Sequence, residues 1–148
     1  MVRVVVPDVL DATQCGLLAN DVGYRPWGAL GFDNPLVSPV VGAVRDKFDV
    51  ALEDPSFVRV ECRKEGHDWH CDNGKHMPWC GVSASILLAE RPDDGVGGVL
   101  EFADDVPAQE PGALWVWDQD KQNRHRVTPH NGWRICLLMF LQGEYGTA

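Results

Sequence analysis

The stretch His125-Arg126-Val127-Thr128-Pro129-His130-Asn131-Gly132-Trp133-Arg134-Ile135-Cys136-Leu137-Leu138 decides the fold class, because it holds two alternating segments on either side of a reversal. Successive side chains of a strand point to opposite faces, so His125, Val127 and Pro129 share one side of the first segment. Arg134, Cys136 and Leu138 share one side of the second. Between them, Asn131-Gly132 is a strong turn signal. A two-residue hairpin would oppose 130 to 133 and 129 to 134. His125 and Arg134 would then share a face, on the order of 13 Å apart at ~3.4 Å per residue. A reversal that crosses between two facing sheets would instead turn both side chains into a common lumen. Either geometry aims a histidine and an arginine at one space.

Outward from this stretch the same rhythm continues. Short β-rich segments at 57–62, 82–89, 98–102, 113–117, 125–129 and 133–141 are separated by turn residues, among them Pro92 to Gly95 and Pro107 to Gly112. This spacing predicts an antiparallel sandwich or barrel. Upstream, residues 2 to 6 read as a strand. A short helix follows, with Asp11 as its N-cap and Leu10, Leu17 and Leu18 as apolar contacts. Residues 21 to 37 mix glycines and prolines with aromatics and read as a long ordered loop. Ser38-Pro39 opens a second helix, with Ser38 as cap, Pro39 in the first helical position, and Val40, Val41, Val44 and Phe48 along one face. The expected architecture is mainly β: a barrel with two N-terminal helices packed outside. Residues 1–148 are read as one domain, with a helical part at 1–56 and a barrel core at 57–141.

Composition narrows the function classes. With 45% hydrophobic and 24% charged residues over 148 positions, the chain lies in the ordinary range for globular proteins and is long enough for a sizeable core. Its net charge of -9 argues against a nucleic-acid partner, whose phosphates call for clustered Lys and Arg. The three valines before Pro7 are too short a run for a signal peptide or a membrane span, so a cytoplasmic location without a membrane partner is expected. Five cysteines without a secretion signal are expected to be reduced thiols.

Histidine and carboxylate are densest in Glu65-Gly66-His67-Asp68-Trp69-His70-Cys71-Asp72-Asn73-Gly74-Lys75-His76. His70 and Asp72 are two apart, so on an extended segment their side chains reach the same side and converge on one ion. A distant histidine would complete a two-His, one-carboxylate triad, which leaves coordination positions open on non-haem Fe(II). His125 is the candidate. A rival reading is a non-catalytic zinc module using His67, His70, His76 and Cys80, since zinc favours four nitrogen or sulfur ligands. That spacing matches no recognised finger and leaves Arg134 and the Gly97-Gly98 pair without a role.

Residues 57 to 141 resemble the 2-oxoglutarate and Fe(II)-dependent oxygenases, and within them the prolyl 4-hydroxylase-like group. His70-Cys71-Asp72 is similar to the family's His-x-Asp, and His125 to its distal histidine. Arg134, nine residues on, is similar to the basic residue that grips the cosubstrate's far carboxylate. Gly97-Gly98-Val99-Leu100-Glu101-Phe102 resembles the family's Gly-Gly-x-Leu-x-Phe strand entry, and Pro111-Gly112-Ala113-Leu114 the turn before its next strand. The resemblance implies a double-stranded β-helix, a cupin-like jelly roll, that holds Fe(II) and takes 2-oxoglutarate as cosubstrate with ascorbate as reductant. It implies hydroxylation of an amino-acid side chain, prolyl or similar, in a peptide or protein, with release of succinate and CO2. A free amino acid or other small molecule is the alternative substrate. No catalytic residue beyond the metal ligands is implied. One departure stands out: many relatives carry a tyrosine near the position of Arg63 that helps hold 2-oxoglutarate, and here Cys62-Arg63-Lys64 stands instead. A different hydroxyl is expected beside Arg134, from Ser83, Ser85 or Tyr24. Trp69, Trp79 and Trp115 lie close to the site segments and are expected to offer aromatic faces to substrate, core packing being their plainer role.

Overall fold

The computed structural model of the chain describes residues 1–22, 25–92 and 98–146. Among the described residues ten strands and two helices follow in order: β1 (Arg3–Val6), α1 (Ala12–Val22), β2 (Trp27–Leu30), α2 (Ser38–Arg45), β3 (Phe48–Ala51), β4 (Phe57–Arg63), β5 (His67–His70), β6 (Val82–Pro92), β7 (Leu100–Phe102), β8 (Leu114–Asp118), β9 (His125–Val127) and β10 (Gly132–Tyr145). The strands form two antiparallel sheets. The major one runs β1-β8-β6-β10-β4-β2, with β3 paired to the far end of β10, and the minor one runs β5-β9-β7. The strand spacing predicts an antiparallel sandwich or barrel, and the arrangement is the jelly roll that the family resemblance implies.

Strand parity explains the layers. Along β4, Val58 and Val60 point outward to the helices, while Phe57, Arg59 and Glu61 point to the lumen. Ile86, Leu114, Leu137 and Met139 join those valines, and Leu18, Val22, Val40 and Val44 of the helices cover them. These apolar positions of α1 and α2 recur at helical spacing, which is why both helices lie on the outer face. A second, smaller cluster of Leu100, Phe102, Trp115, Trp117 and Val127 fills the space between the sheets. No helix among the described residues is long and apolar enough to cross a membrane.

Several local expectations change. Asp11 does cap α1, its carboxylate accepting from the Gln14 N–H at 2.8 Å while Gln14 Oε1 accepts from the Asp11 N–H at 2.9 Å. Ser38 does not cap α2: Val37 is the N-cap residue, no side chain caps it, and Ser38 is already helical. Residues 27 to 30 form a strand inside the expected loop. Gly28 and Ala29 have weak β propensity, so the pairing with β4 decides their conformation. The reversal at Asn131-Gly132 is not a hairpin, because β9 pairs with β5 and β7 while β10 pairs with β3, β4 and β6. The chain crosses between facing sheets there. The turn at Pro92 to Gly95 lies largely outside the described residues.

Two features of this framework carry the site. A bulge between β6 and β10 shifts the register at Ile135/Cys136 and sets Glu90 opposite Arg134. A 3₁₀ turn at Lys121–Asn123, capped by Asp120, leads into β9 and is tied to β1. Arg3 Nε donates to Asn123 Oδ1 at 2.9 Å, and Asn123 Nδ2 donates to the Val2 carbonyl at 2.9 Å.

Candidate metal centre

His70 closes β5, Asp72 lies two residues beyond it, and His125 opens β9, which pairs with β5 so that His70 and His125 are direct partners. One ligand atom from each lies within 4.8 Å of the others. Asp72 Oδ1 is 3.3 Å from His70 Nε2 and 3.6 Å from His125 Nε2. Among the described residues no other such cluster of histidine, cysteine and carboxylate forms.

The surroundings aim these atoms. His70 Nδ1 is 2.8 Å from the Asp68 carbonyl, and His125 Nδ1 is 3.0 Å from the Asn123 carbonyl. A carbonyl only accepts, so both Nδ1 atoms carry the proton and both Nε2 lone pairs face the cluster. Such outer partners orient metal-binding histidines. Ser83 donates to Asp72 Oδ2 at 2.6 Å, which leaves Oδ1 for the ion. Gln119 braces this pair from both sides: its Oε1 accepts from the Asp72 N–H at 2.9 Å and its Nε2 donates to Ser83 Oγ at 2.8 Å. Burial alone would raise the Asp72 pKa, yet the neighbouring His125 and His70 rings, which turn a proton on Nε2 toward Oδ1 when no ion is held, and the Ser83 hydroxyl outweigh it and hold the carboxyl far below its ordinary value. An ionised carboxylate with two oriented imidazoles is the donor set that suits divalent iron, so the residues present fit the metal.

The centre has a closed and an open side. The Asp72 and His125 side chains are each 7% exposed, whereas that of His70 is 41% exposed and faces the mouth. Phe102 and Trp117 pack on the His125 ring, with centroids at 5.9 and 5.1 Å. A cavity of about 560 Å³ opens beside the triad and also reaches Arg59, Glu61, Arg63, Gln109 and Arg134. Arg134 is buried and its Nη2 donates to Gln109 Oε1. Gly98, with φ +68°, passes so close that a Cβ there would lie 3.3 Å from both Arg134 Cδ and His130 Cγ. Across the strand pair, Arg63 is the register partner of Arg134, and Glu61 links it to Arg59 through contacts of 2.5 and 2.7 Å.

Other expected residues are placed differently. Ser83 holds Asp72, while Ser85 lines the same cavity as Arg134. Tyr24 lies outside the described residues. Trp69 stands at the cavity mouth, 42% exposed, with the Arg126 guanidinium 5.0 Å from its ring centroid. Trp79 does not line the cavity and packs edge-on against Phe57, while Trp115 is buried beside Phe102. The zinc set of His67, His70, His76 and Cys80 is not assembled. His76 is exposed at the rim, the buried Cys80 thiol is turned to the Val82 carbonyl, and the four ligand atoms do not converge. All five cysteines are free. Gln109, Gln119 and Asn123 carried no sequence signal, since each matters through partners far along the chain.

No protein-family model matches the chain, and no curated protein matches it in sequence. Solved structures do match in fold. The viral collagen prolyl hydroxylase of Paramecium bursaria Chlorella virus-1, as its 2-oxoglutarate complex, superposes with a TM-score of 0.71 at 14% identity, covering 94% of both chains. A Pseudomonas putida prolyl-4-hydroxylase gives 0.68 at 15% identity, over 95% of this chain and 91% of that one. A Trichoplax adhaerens prolyl hydroxylase, in complex with a hypoxia inducible factor peptide fragment, gives 0.64 at 12% identity, over 95% and 83%. The chain thus shares the jelly roll of prolyl 4-hydroxylases.

Proposed function

We propose that the protein is a 2-oxoglutarate- and Fe(II)-dependent dioxygenase that hydroxylates an amino-acid side chain, prolyl or similar, in a peptide or protein. The observation that carries this reading is the convergence of His70, Asp72 and His125 on one point within the lumen of a prolyl 4-hydroxylase fold, with the buried Arg134 in the same cavity. Fe(II) held by the three ligands would supply the oxidative chemistry, in which 2-oxoglutarate and dioxygen yield succinate and CO2 as one oxygen atom enters a substrate C–H bond.

The protein's own part is placement. His70 and His125 present Nε2 because their Nδ1 protons are committed to carbonyls, and Asp72 presents Oδ1 because Ser83 holds Oδ2. Arg134 supplies a planar fork of N–H donors for the far carboxylate of 2-oxoglutarate. Phe102 and Trp117 wall off the His125 side, so substrate enters past His70 and Trp69. The peptide bound by the Trichoplax protein supports a peptide as substrate here, and the exposed indole of Trp69 offers a face for it.

The test is succinate formation by the purified protein with Fe(II), ascorbate and 2-oxoglutarate against a proline-containing peptide library. Peptide-stimulated succinate that vanishes in His125→Ala is the expected result. A protein that binds metal yet forms no succinate with any peptide or free amino acid would overturn the assignment.

A further inference from the structure

We infer that Gln109 is a cosubstrate-binding residue whose side-chain amide completes, with Arg134, the seat for the far carboxylate of 2-oxoglutarate. The inference rests on the oxygenase reading and names a group that works beside Arg134, to which it is hydrogen-bonded.

Gln109 lies in the segment between β7 and β8 and lines the same cavity as the metal triad. Its Oε1 accepts from Arg134 Nη2, across 25 residues of chain. A guanidinium has donors only, so the amide can meet it in one orientation: oxygen toward Arg134, Nε2 away from it. That Nε2 is buried without a hydrogen-bond partner, and so is Arg134 Nε. Among the described residues the one carboxylate within 4.0 Å of Arg134 is that of Glu90, whose Oε2 stands 3.8 Å from Nε, beyond hydrogen-bond length. Glu90 is also 45% exposed, against 8% for the arginine.

Two neighbouring side chains on the cavity lining therefore present buried N–H groups that lack a protein acceptor, and native interiors satisfy such groups with ordered water or a ligand. The ligand must supply acceptors only. An ammonium would set donor against donor and a hydroxyl brings a single oxygen, whereas a carboxylate brings two oxygens and no proton. The guanidinium has donors to spare after its bond to Gln109, so the carboxylate can sit on Arg134 while one oxygen takes the amide Nε2–H. Gly98 keeps the stem of Arg134 in place, since any side chain there would press on its Cδ.

The experiment is calorimetric binding to the full chain loaded with Mn(II), using 2-oxoglutarate and 2-oxopentanoate. The second ligand has the same chain length and 2-oxo acid end but no far carboxylate. Gln109→Ala should weaken 2-oxoglutarate by roughly ten- to a hundredfold, the range for a hydrogen bond to a charged group. It should leave 2-oxopentanoate within about twofold, since that ligand never uses the amide. Unchanged 2-oxoglutarate affinity overturns the role of Gln109, and so does an equal loss for both ligands, which would mark a structural effect. Failure of the underlying reading looks different: the parent protein itself would then show no preference for 2-oxoglutarate over 2-oxopentanoate, and Arg134→Met would change neither.

Discussion

Ser83 illustrates how a residue with no metal contact sets the properties of the centre. Its hydroxyl fixes Asp72 Oδ2, so Ser83→Ala should lower Fe(II) or Mn(II) affinity by roughly ten- to a hundredfold in chelator competition, as loss of such outer partners does elsewhere. An affinity equal to the parent's would show that Gln119 and the histidines position the carboxylate unaided. Acid and base act on the same group of side chains in opposite senses. Asp72 is held low, so its stabilisation is present above ~pH 4 and is lost as pH falls below that. Burial, and then the neighbouring His70, pull His67 down to about 4, so acidification from ~6.5 favours the unfolded chain, where this histidine protonates freely. His70 is raised, first by its hydrogen bond to Asp72, and its contribution is complete below ~6.5 and lost as pH climbs through the raised value. Metal-stripped protein should therefore resist urea best near pH 6.5, and His67→Ala should flatten the acid limb. A parent profile that is level from pH 4 to 6.5 would contradict this. At this scale the sequence was legible where parity is local: His70 and Asp72 two apart, and His125 and Arg134 on alternating segments. Gln119 was not, because it stands 47 residues from Asp72 and 36 from Ser83, and only the packed sheets bring it between them.

Elements were legible in proportion to their own hydrophobic pattern. The long central strands carried strong periodicity; the helices were legible in place but not in every contact, since Leu17 is exposed and Phe48 opens β3 rather than extending α2, and β2 had only the Trp27-Gly28-Ala29-Leu30 stretch and takes its conformation from β4. Turn chemistry was readable at Pro111-Gly112. Gly112 has φ +84°, its carbonyl accepts from the Val9 and Leu10 N–H groups at 3.0 and 3.2 Å, and a Cβ there would come within 2.2 Å of the Leu10 carbonyl oxygen. Gly112→Ala should consequently destabilise the fold by about 1–3 kcal/mol in urea titrations, combining strain at positive φ with displacement of the chain leading into α1. The reciprocal cap at the start of that helix is a gentler case. Asp11→Ala should cost about 1 kcal/mol with little effect on metal affinity, since α1 packs on the outer face of the major sheet. A large loss of metal in that variant would mean that the two faces are coupled through the sheet.

On the scale of the whole molecule, the barrel with helices outside followed from the spacing of strands and turns, but the assignment of strands to sheets did not. The stretch around Asn131-Gly132 has the composition of a hairpin, and what defeats that pairing is the better burial of His125 and Val127 against β5 and β7 in the facing sheet. The triad draws on two segments more than fifty residues apart, so holding an ion ties the sheet arrangement together. Saturation at a hundredfold above Kd should add about 2.7 kcal/mol and raise Tm by roughly 5–10 °C, a gain that EDTA reverses. No shift on Mn(II) addition would argue against a folded site at these three residues. Arg3 reaches both supports of His125 at once: its Nε bonds the Asn123 side chain, whose residue's carbonyl orients the imidazole, and its guanidinium lies 4.0 Å over the Phe102 ring that packs on the same histidine. A screen of variants for weakened Mn(II) binding should accordingly return lesions at Arg3, a position that a map drawn from the cavity walls would never include.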